Sequence, residues 1–496
     1  MPRQSDPIDD RTPLDGARID VAARVGWLLR THRTVSGVSL RQMSEALKDH
    51  DLTISSATLS RVESEGQRSP AVIDGYTAVL GLPDGGLLAT IDGVCRSFSY
   101  SPPAPPNPVE QTLDAFSRAY DEVMVDNPTA GAWLTFARHH AQPGGFGLPL
   151  RAMEPLVEQL TDEIGRCLTV NRWTRHEALS QLIASPYGAM TLRTMCGRVD
   201  DLDNQLIYDL TSVLSDHPSP DLTAWACRLL ASSSLFHVRG ASYVLQGMLV
   251  HGGLPLASWR TMVPLLREAQ VAATGDPDKT AAVDSVVGAL PPALHPDLRA
   301  AGVRGPARKA SIPWSRTRGN PHYVVATEIA RAACADLQQP DEPLLERLLF
   351  ESCFETRGVR MSTSTWVLLA SPFADTLARA VVGHTAWPDE ECHAAAMRVA
   401  AACNSGGPLP GLERLLGEDS LFAPLTILVG RSGGRLPDEV LSRGLAGDET
   451  MVRQTFYSLG MAGDPRLVGI AEDTTRPEAV RRIARWWLDR GPRIVV

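Results

Sequence analysis

Hydrophobic residues recur at spacings of three and four along most of the chain, which is the pattern of amphipathic helices. The runs often begin with Asp, Ser or Pro and end with Gly, as helix starts and stops do. No stretch shows a convincing alternation of apolar and polar residues, so a substantial sheet is not expected. The sequence therefore predicts an all-α protein.

Four segments of different composition divide the 496 residues. Residues 1–16 are polar and acidic without periodicity and are predicted to be a disordered tail. Residues 17–98 form a compact helical domain, which we call the head. Five prolines in the next ten residues predict an extended linker over 99–108. Residues 109–496 continue as one all-helical, repeat-like domain.

Two of the last helical segments carry the same short pattern. Val452-Arg453 and Val480-Arg481 lie 28 residues apart, each after an acidic turn and before an apolar helical face. This pattern is similar to the second helix of HEAT-type repeats, in which each helix pair buries its face against its neighbours. Residues 109–496 are therefore predicted to form an α-solenoid of HEAT-like or TPR-like repeats.

Composition narrows the function without naming it. Hydrophobic residues make up 44% of the chain and the net charge is −9, which excludes a wholly basic coat for nucleic acid but not a local DNA-reading surface. The eight cysteines are scattered without a CxxC pair, so they predict buried thiols rather than a zinc or redox site. With no signal-like N-terminus and no membrane-length apolar stretch, the sequence predicts a cytoplasmic protein without membrane contact.

The head contains four short helical patterns. They run from Ile19 to His32, from Leu40 to about Lys48, from Ser56 to Glu63 and from Ala71 to Leu80. Ser39 and Gln42 have the spacing of a capping box, and Ser55 can cap the third helix. In the third helix Leu59 and Val62 face the core.

The opposite face of the third helix carries small and cationic side chains: Ser56, Ala57, Ser60 and Arg61. Small residues at the start of a helix let its backbone approach base edges in the major groove, which is about 12 Å wide. This pattern is typical of the recognition helix in a helix-turn-helix.

The head resembles the Cro/C1-type (XRE) helix-turn-helix family. The matching positions are Arg24, Arg30, Ser39, Met43, Leu47, Ile54 to Glu63, Gly66, Arg68, Pro70 and Leu80-Gly81-Leu82. The turns before and after the third helix are longer than usual in the family, and Leu40 stands where the family often has a phosphate-contacting Gln.

The resemblance implies that the head binds double-stranded DNA. By position, the implied contacts to bases and phosphates are Ser55, Ser56, Ala57, Thr58, Ser60 and Arg61, with Arg41, Gln42 and Arg68 placed on phosphates. Two structural alternatives remain at this point: Arg61 could pair with Glu45 or Glu65, and Arg24 and Arg30 could stabilise the fold.

From Gly16 to Leu80 the head has eight basic and seven acidic residues. This near balance predicts weak binding by one copy, so we expect a homodimer on an inverted repeat, with dimerisation supplied by residues 109–496. The predicted function is a transcriptional regulator controlled by a small-molecule, peptide or protein effector on that helical domain.

No catalytic, metal or cofactor site is predicted, and the chain is not expected to be an enzyme. Adjacent His139 and His140 would point about 100° apart on a helix and are expected at the surface. Cys392 and His393 are neighbours in sequence, which is a poor geometry for activating a nucleophile.

Two alternatives stay open. In the first, the helical array is an interaction scaffold tethered to DNA, with the basic segment Arg299–Arg318 contacting an acidic partner; the role of that segment is open. In the second, residues 109–496 contain an unrecognised enzyme, for which a deep polar pocket with a perturbed His or Cys would be the sign.

Overall fold

A computed structural model describes residues 8, 10–13, 18–98, 100, 109–142, 144–305, 319–355 and 357–495. The described residues form 26 α-helices, numbered here in chain order. Their bounds are α1 Val21–Val35, α2 Leu40–Ala46, α3 Ser56–Glu65, α4 Pro70–Leu80, α5 Gly86–Ser97, α6 Leu113–Val123, α7 Ala130–Ala141, α8 Leu150–Ile164, α9 Thr169–Ala184, α10 Gly188–Asp200, α11 Tyr208–Ser215, α12 Pro220–Leu229, α13 Leu235–His251, α14 Leu256–Ala272, α15 Pro277–Ala289, α16 His295–Ala300, α17 Pro321–Asp336, α18 Pro343–Phe354, α19 Gly358–Ala370, α20 Ala374–Gly383, α21 Glu390–Cys403, α22 Phe422–Ser432, α23 Asp438–Leu445, α24 Glu449–Ala462, α25 Arg466–Glu472 and α26 Glu478–Arg490.

The all-α prediction is confirmed over this part of the chain, where the one β feature is an isolated bridge between Cys167 and Ile494. Short 3₁₀ helices occur at Leu47–His50, Pro292–Leu294, Leu412–Leu415 and Asp419–Leu421. Among the described residues, no helix by itself has the length and apolar composition to cross a membrane. α19 and α20 have that length and apolar composition only when they are counted as one segment, and the two helices meet at a bend of 105°.

The four helices predicted in the head are confirmed, with ends that differ by at most three residues. Local signals place them. Ser39 and Gln42 form the capping box of α2, and the Ser55 hydroxyl accepts a hydrogen bond from the Thr58 backbone at the start of α3. α4 ends at Gly81, whose φ of 61° is easily reached only by a residue without a side chain.

The chain divides into two compact units. The first comprises residues 1–139, 166–177 and 312–496, and the second comprises residues 140–165 and 178–311. These units do not follow the predicted boundary at the linker, because the head belongs to the same unit as the C-terminal third of the chain. Of the linker itself only Tyr100 is described, and the rest of 99–108 lies outside the described residues.

The head shares one hydrophobic core with α17–α22. α1 packs against α3, α4 and α5 within the head and also against α19, which packs against α5 in turn. The Trp27 indole on α1 stacks on the Phe373 ring at a centroid distance of 6.0 Å. Trp27 is completely buried and its Nε1 donates to the Glu342 carboxylate, so an aromatic side chain of the head is covered by residues more than 300 positions later in the chain.

Buried ion pairs accompany this apolar contact. Arg24 of α1 donates to the Glu351 carboxylate of α18 at 2.5 Å, and both side chains are completely buried. Arg347 and Arg360 donate to the second oxygen of the same carboxylate at 2.8 and 3.3 Å. Because each partner lies out of contact with water, we expect removal of any one charge to be costly.

The N-terminal segment reaches the same ion-pair cluster. Asp10 and Thr12 fall in the predicted disordered tail, yet the Thr12 side chain is buried and the Asp10 carboxylate lies 3.1 Å from the Arg347 guanidinium. The carbonyl groups of Thr12 and Pro13 accept hydrogen bonds from Arg347 and Arg360. The tail prediction was therefore wrong for this short stretch, and the remaining residues of 1–16 apart from Ile8 and Arg11 lie outside the described part.

In the second unit, alternate helices pack together. α11 packs against α13 and α13 against α15, while α12 packs against α14 and α14 against α16. In the first unit, α22 packs against α24 and α24 against α26 by the same rule. Val452 and Val480, the two positions of the predicted repeat, lie near the starts of α24 and α26.

Candidate nucleic-acid interface

α3 is held against α1 by a close backbone approach. A Cβ atom at Gly26 of α1 would lie 1.9 Å from the Glu63 carbonyl oxygen, and one at Gly66 would lie 1.8 Å from the Ala22 carbonyl oxygen. Gly66 also has a φ of 60°, which ends α3 in the left-handed region. Only glycine fits either position, so the depth of α3 against α1 is fixed by the backbone itself.

A buried ion pair fixes α3 from its inner side. The Arg33 guanidinium donates to both oxygens of the Glu63 carboxylate at 2.6 and 2.7 Å, and the Tyr76 hydroxyl donates to the same carboxylate at 2.7 Å. Burial, and then the neighbouring Glu63 carboxylate, raise the pKa of Tyr76 far above its usual range, so the phenol keeps its proton. These contacts connect α1, α3 and α4 through one carboxylate, while Leu59 and Val62 fill the core beneath.

The turn before α3 is also ordered by specific contacts. Leu47–His50 form one 3₁₀ turn, and Asp51 follows with a φ of 58°, a conformation that Asp tolerates better than most residues. The Ser44 hydroxyl donates to the Ile54 carbonyl at 2.5 Å. The extra length of this turn relative to the XRE pattern is therefore absorbed by a short helix, and the cap at Ser55 is preserved.

The α3 outer face, which we define as Ser55, Ser56, Ala57, Ser60 and Arg61, is exposed at every position. Thr58 is half-buried and its hydroxyl lies 2.9 Å from that of Ser55. These residues therefore form a continuous surface of small side chains with one arginine, open to solvent from the cap onward.

Arg61 is the one cationic residue of the α3 outer face. Among the described residues its guanidinium has no ion-pair partner. The two acids that could have paired with it are engaged elsewhere: Glu45 accepts from Lys48 at 2.7 Å, and Glu65 accepts from the Gln67 side chain at 2.6 Å. Arg61 therefore pairs with neither Glu45 nor Glu65, and its charge remains available to a ligand.

The predicted phosphate contacts divide into two groups. Arg41 and Gln42 are exposed on α2, although the Gln42 side-chain oxygen already accepts from Ser39 in the capping box. Arg68, by contrast, donates to the Asp92 carboxylate of α5 at 2.5 Å, with both side chains about nine-tenths buried. We therefore remove Arg68 from the set of DNA contacts, since its guanidinium is used inside the protein.

Arg24 and Arg30 stabilise the fold through ion pairs, which was one of the two roles considered for them from the sequence. Arg24 lies in the buried cluster with Glu351, and Arg30 donates to both oxygens of the Glu342 carboxylate at 2.9 and 2.7 Å. Sequence reasoning missed Arg33 and Glu63 as a pair. The available signal was the position of Glu63 on the inward side of α3. A charged residue in such a position is expected to be buried with a partner, but the position does not identify the partner.

The features considered for catalysis have the properties of core residues. His139 and His140 are buried rather than exposed, which corrects the surface prediction; His139 packs edge-on against Phe116. Burial raises the pKa of the Cys392 thiol to about 12, the opposite of activation. Within the described residues, no group of three or more His, Cys, Asp and Glu side chains is arranged to hold a metal ion.

Most of the basic segment Arg299–Arg318, which could contact an acidic partner if the protein were an interaction scaffold, lies outside the described residues. Arg299 and Arg304 are exposed in the second unit, and residues 306–318 lie outside the described residues.

A comparison with protein-family models finds no match to the chain, and a comparison with curated proteins finds no significant match either.

Proposed function

We propose that the chain is a sequence-specific DNA-binding transcriptional regulator of the XRE type, in which α2 and α3 act as a helix-turn-helix. The observation that carries the proposal is the α3 outer face: it is exposed along its whole length and presents Arg61 without an ion-pair partner among the described residues. A helix that is fixed on its inner side by Glu63 and open on its outer side has the form needed to enter a major groove as a rigid body.

The chemistry of the face fits direct readout. Ser56 and Ala57 are small enough for the start of α3 to approach base edges, and Ala57 offers a methyl group to thymine. Ser60 can donate or accept a hydrogen bond. Arg61 lies one turn further along, where its guanidinium can form a bidentate contact to guanine or to a phosphate. Arg41 and Gln42 on α2 would position the backbone of the duplex.

The packing of the head changes how regulation is expected to work. Because α1 shares its core and its buried ion pairs with α18 and α19, the head of one chain does not swing independently of those helices. We therefore propose that the first unit presents α3 as one body, and that a homodimer sets the spacing of two such faces on an inverted repeat. An effector would act by changing that spacing.

We also propose that the protein is cytoplasmic and that residues 109–496 form a HEAT-like array, as the sequence predicts. Alternate helices pack together in the second unit and at the C-terminal end of the first, as neighbouring helix pairs do in such arrays. Surfaces of this type bind extended or small ligands, which suits a sensor.

Selection of DNA by the full-length chain tests this function. The protein is incubated with a pool of random duplexes at about 0.15 M salt, and bound duplexes are recovered, amplified and sequenced over several rounds. We expect enrichment of one short motif in two inverted copies. Recovery of sequences indistinguishable from the starting pool would contradict the proposal.

A further inference from the structure

A cavity of about 220 Å³, half open to solvent, lies in the first unit where the head meets the C-terminal helices. One wall belongs to the head, with His32 at the end of α1 and Leu82 and Leu87 around the start of α5. The opposite side is formed by the end of α19 and the start of α20, with Leu369 and Asp375, and Thr169 and Val170 at the start of α9 complete the lining. This volume can hold several water molecules or a small organic molecule.

The cavity has one charged group. Asp375 accepts two hydrogen bonds from Ser405, from its backbone at 2.9 Å and its hydroxyl at 2.7 Å. It has no cationic partner among the described residues, and a carboxylate can accept about four hydrogen bonds in all. A carboxylate in the first turn of α20, without a cationic partner among the described residues and with unused acceptor capacity, therefore borders the cavity.

The second polar group is His32, which is nine-tenths buried. Its Nε2 lies 2.6 Å from the Ala370 carbonyl and must donate to it, because a carbonyl only accepts. Burial lowers the pKa of His32 to about 4 although this hydrogen bond opposes the shift, so the ring is neutral near pH 7. In that tautomer Nδ1 is an acceptor, and no described residue donates to it.

We propose that this cavity binds a small organic cation, with an ammonium group between Asp375 and His32 and a short apolar tail against the leucines. An ammonium supplies three donors, which suit the remaining acceptor positions of the Asp375 carboxylate and the Nδ1 atom of His32. The site rests on the proposed function only in its consequence. The cavity lies in the unit that presents α3, so a ligand that favours one of two spacings of the α3 faces in the homodimer changes the affinity for DNA.

The test uses n-butylammonium as the probe, titrated calorimetrically into the full-length chain at pH 7.5. We expect saturable binding of one equivalent, with n-butanol and butyrate binding at least tenfold more weakly because they lack the charge or reverse it. Asp375→Asn keeps the size of the side chain and one acceptor for Ser405, while its amide NH2 can donate to the Ser405 hydroxyl. The variant is expected to weaken amine binding at least tenfold because it removes the charge.

Glu390→Gln is the matched control, because it removes an exposed acid that does not border the cavity, and it should leave amine binding unchanged. If Asp375→Asn fails to fold, Leu82→Phe fills the cavity from the head side and is expected to abolish binding. Absence of saturable binding, equal binding of butanol, or equal binding by Asp375→Asn would overturn the site.

DNA affinity measured with and without the amine separates the site from its consequence. A shift of threefold or more in duplex affinity supports regulation, whereas amine binding with unchanged DNA affinity refutes the regulatory role and leaves the site standing. If the chain binds the amine but no duplex at all, the proposed function fails and the cation site does not.

Discussion

Replacing Arg61 by alanine is expected to weaken binding of the selected duplex by about 5- to 150-fold, which corresponds to about 1–3 kcal/mol for a lost bidentate contact to a base. The change should not disturb the fold, because Arg61 is exposed on α3 and alanine is the best helix former. Fluorescence anisotropy of a labelled duplex measures the affinity, and circular dichroism checks the helical content.

Arg118→Ala provides the matched control, since Arg118 is an exposed helical arginine on α6, outside the α3 outer face. It should leave the duplex affinity within twofold of the wild type. Equal affinities of Arg61→Ala and the wild type would contradict the assignment of α3 as the reading helix.

Replacing Glu351 by alanine is expected to lower the free energy of unfolding by about 3–5 kcal/mol, the usual cost of breaking a buried ion pair from one side. The variant leaves Arg24, Arg347 and Arg360 buried without the carboxylate that they share. Urea unfolding followed by tryptophan fluorescence measures the change, with Glu439→Ala on the exposed side of α23 as the control.

The lowered pKa of the Glu351 carboxylate predicts that the stability of the fold depends on pH. Burial raises the pKa of Glu351, but Arg24, Ser364 and Arg347 outweigh it and lower the pKa from 4.5 to about 2. Because the folded pKa lies below the unfolded one, the group stabilises the fold fully above pH 4.5, and this stabilisation of about 3 kcal/mol is lost as the pH falls towards 2.

Unfolding of the wild type at pH 3 and pH 6 should therefore differ more than unfolding of Glu351→Gln, which cannot titrate. An equal pH dependence in the two proteins would show that Glu351 does not have the lowered pKa.

The local structure of the head could be predicted because its signals lie within a few residues of one another. Ser39 with Gln42, Ser55 before α3 and Gly81 after α4 each determine one helix end through a nearby hydrogen bond or a backbone angle. The exposure of Ser56, Ala57, Ser60 and Arg61 followed from the inward spacing of Leu59 and Val62.

The junction between the head and the C-terminal helices could not be predicted in the same way. Arg24 and Glu351 are 327 residues apart in the chain, and no local pattern relates them. A buried arginine has the same sequence signature as one that binds phosphate, which is why Arg68 was assigned to DNA while the fold uses it on Asp92. Only the tertiary packing distinguishes the two.

This difference matters for function. A head on a linker would read DNA by itself, with the remaining helices adding a second copy and a ligand. A head whose Trp27 and Arg24 are buried by α18–α20 and the preceding turns needs those helices for its own core. The α3 outer face and the C-terminal helices of the first unit then belong to one packed body.

Site-specific photo-crosslinking gives the most direct test of the account, because it asks which surface touches DNA. A photoreactive amino acid replaces Ser60 in one protein and Leu488, exposed on α26, in another, and each is irradiated with the selected duplex. We predict a covalent adduct with DNA from position 60 and none from position 488. Retained duplex binding with no adduct at position 60 would contradict the claim that α3 enters the groove.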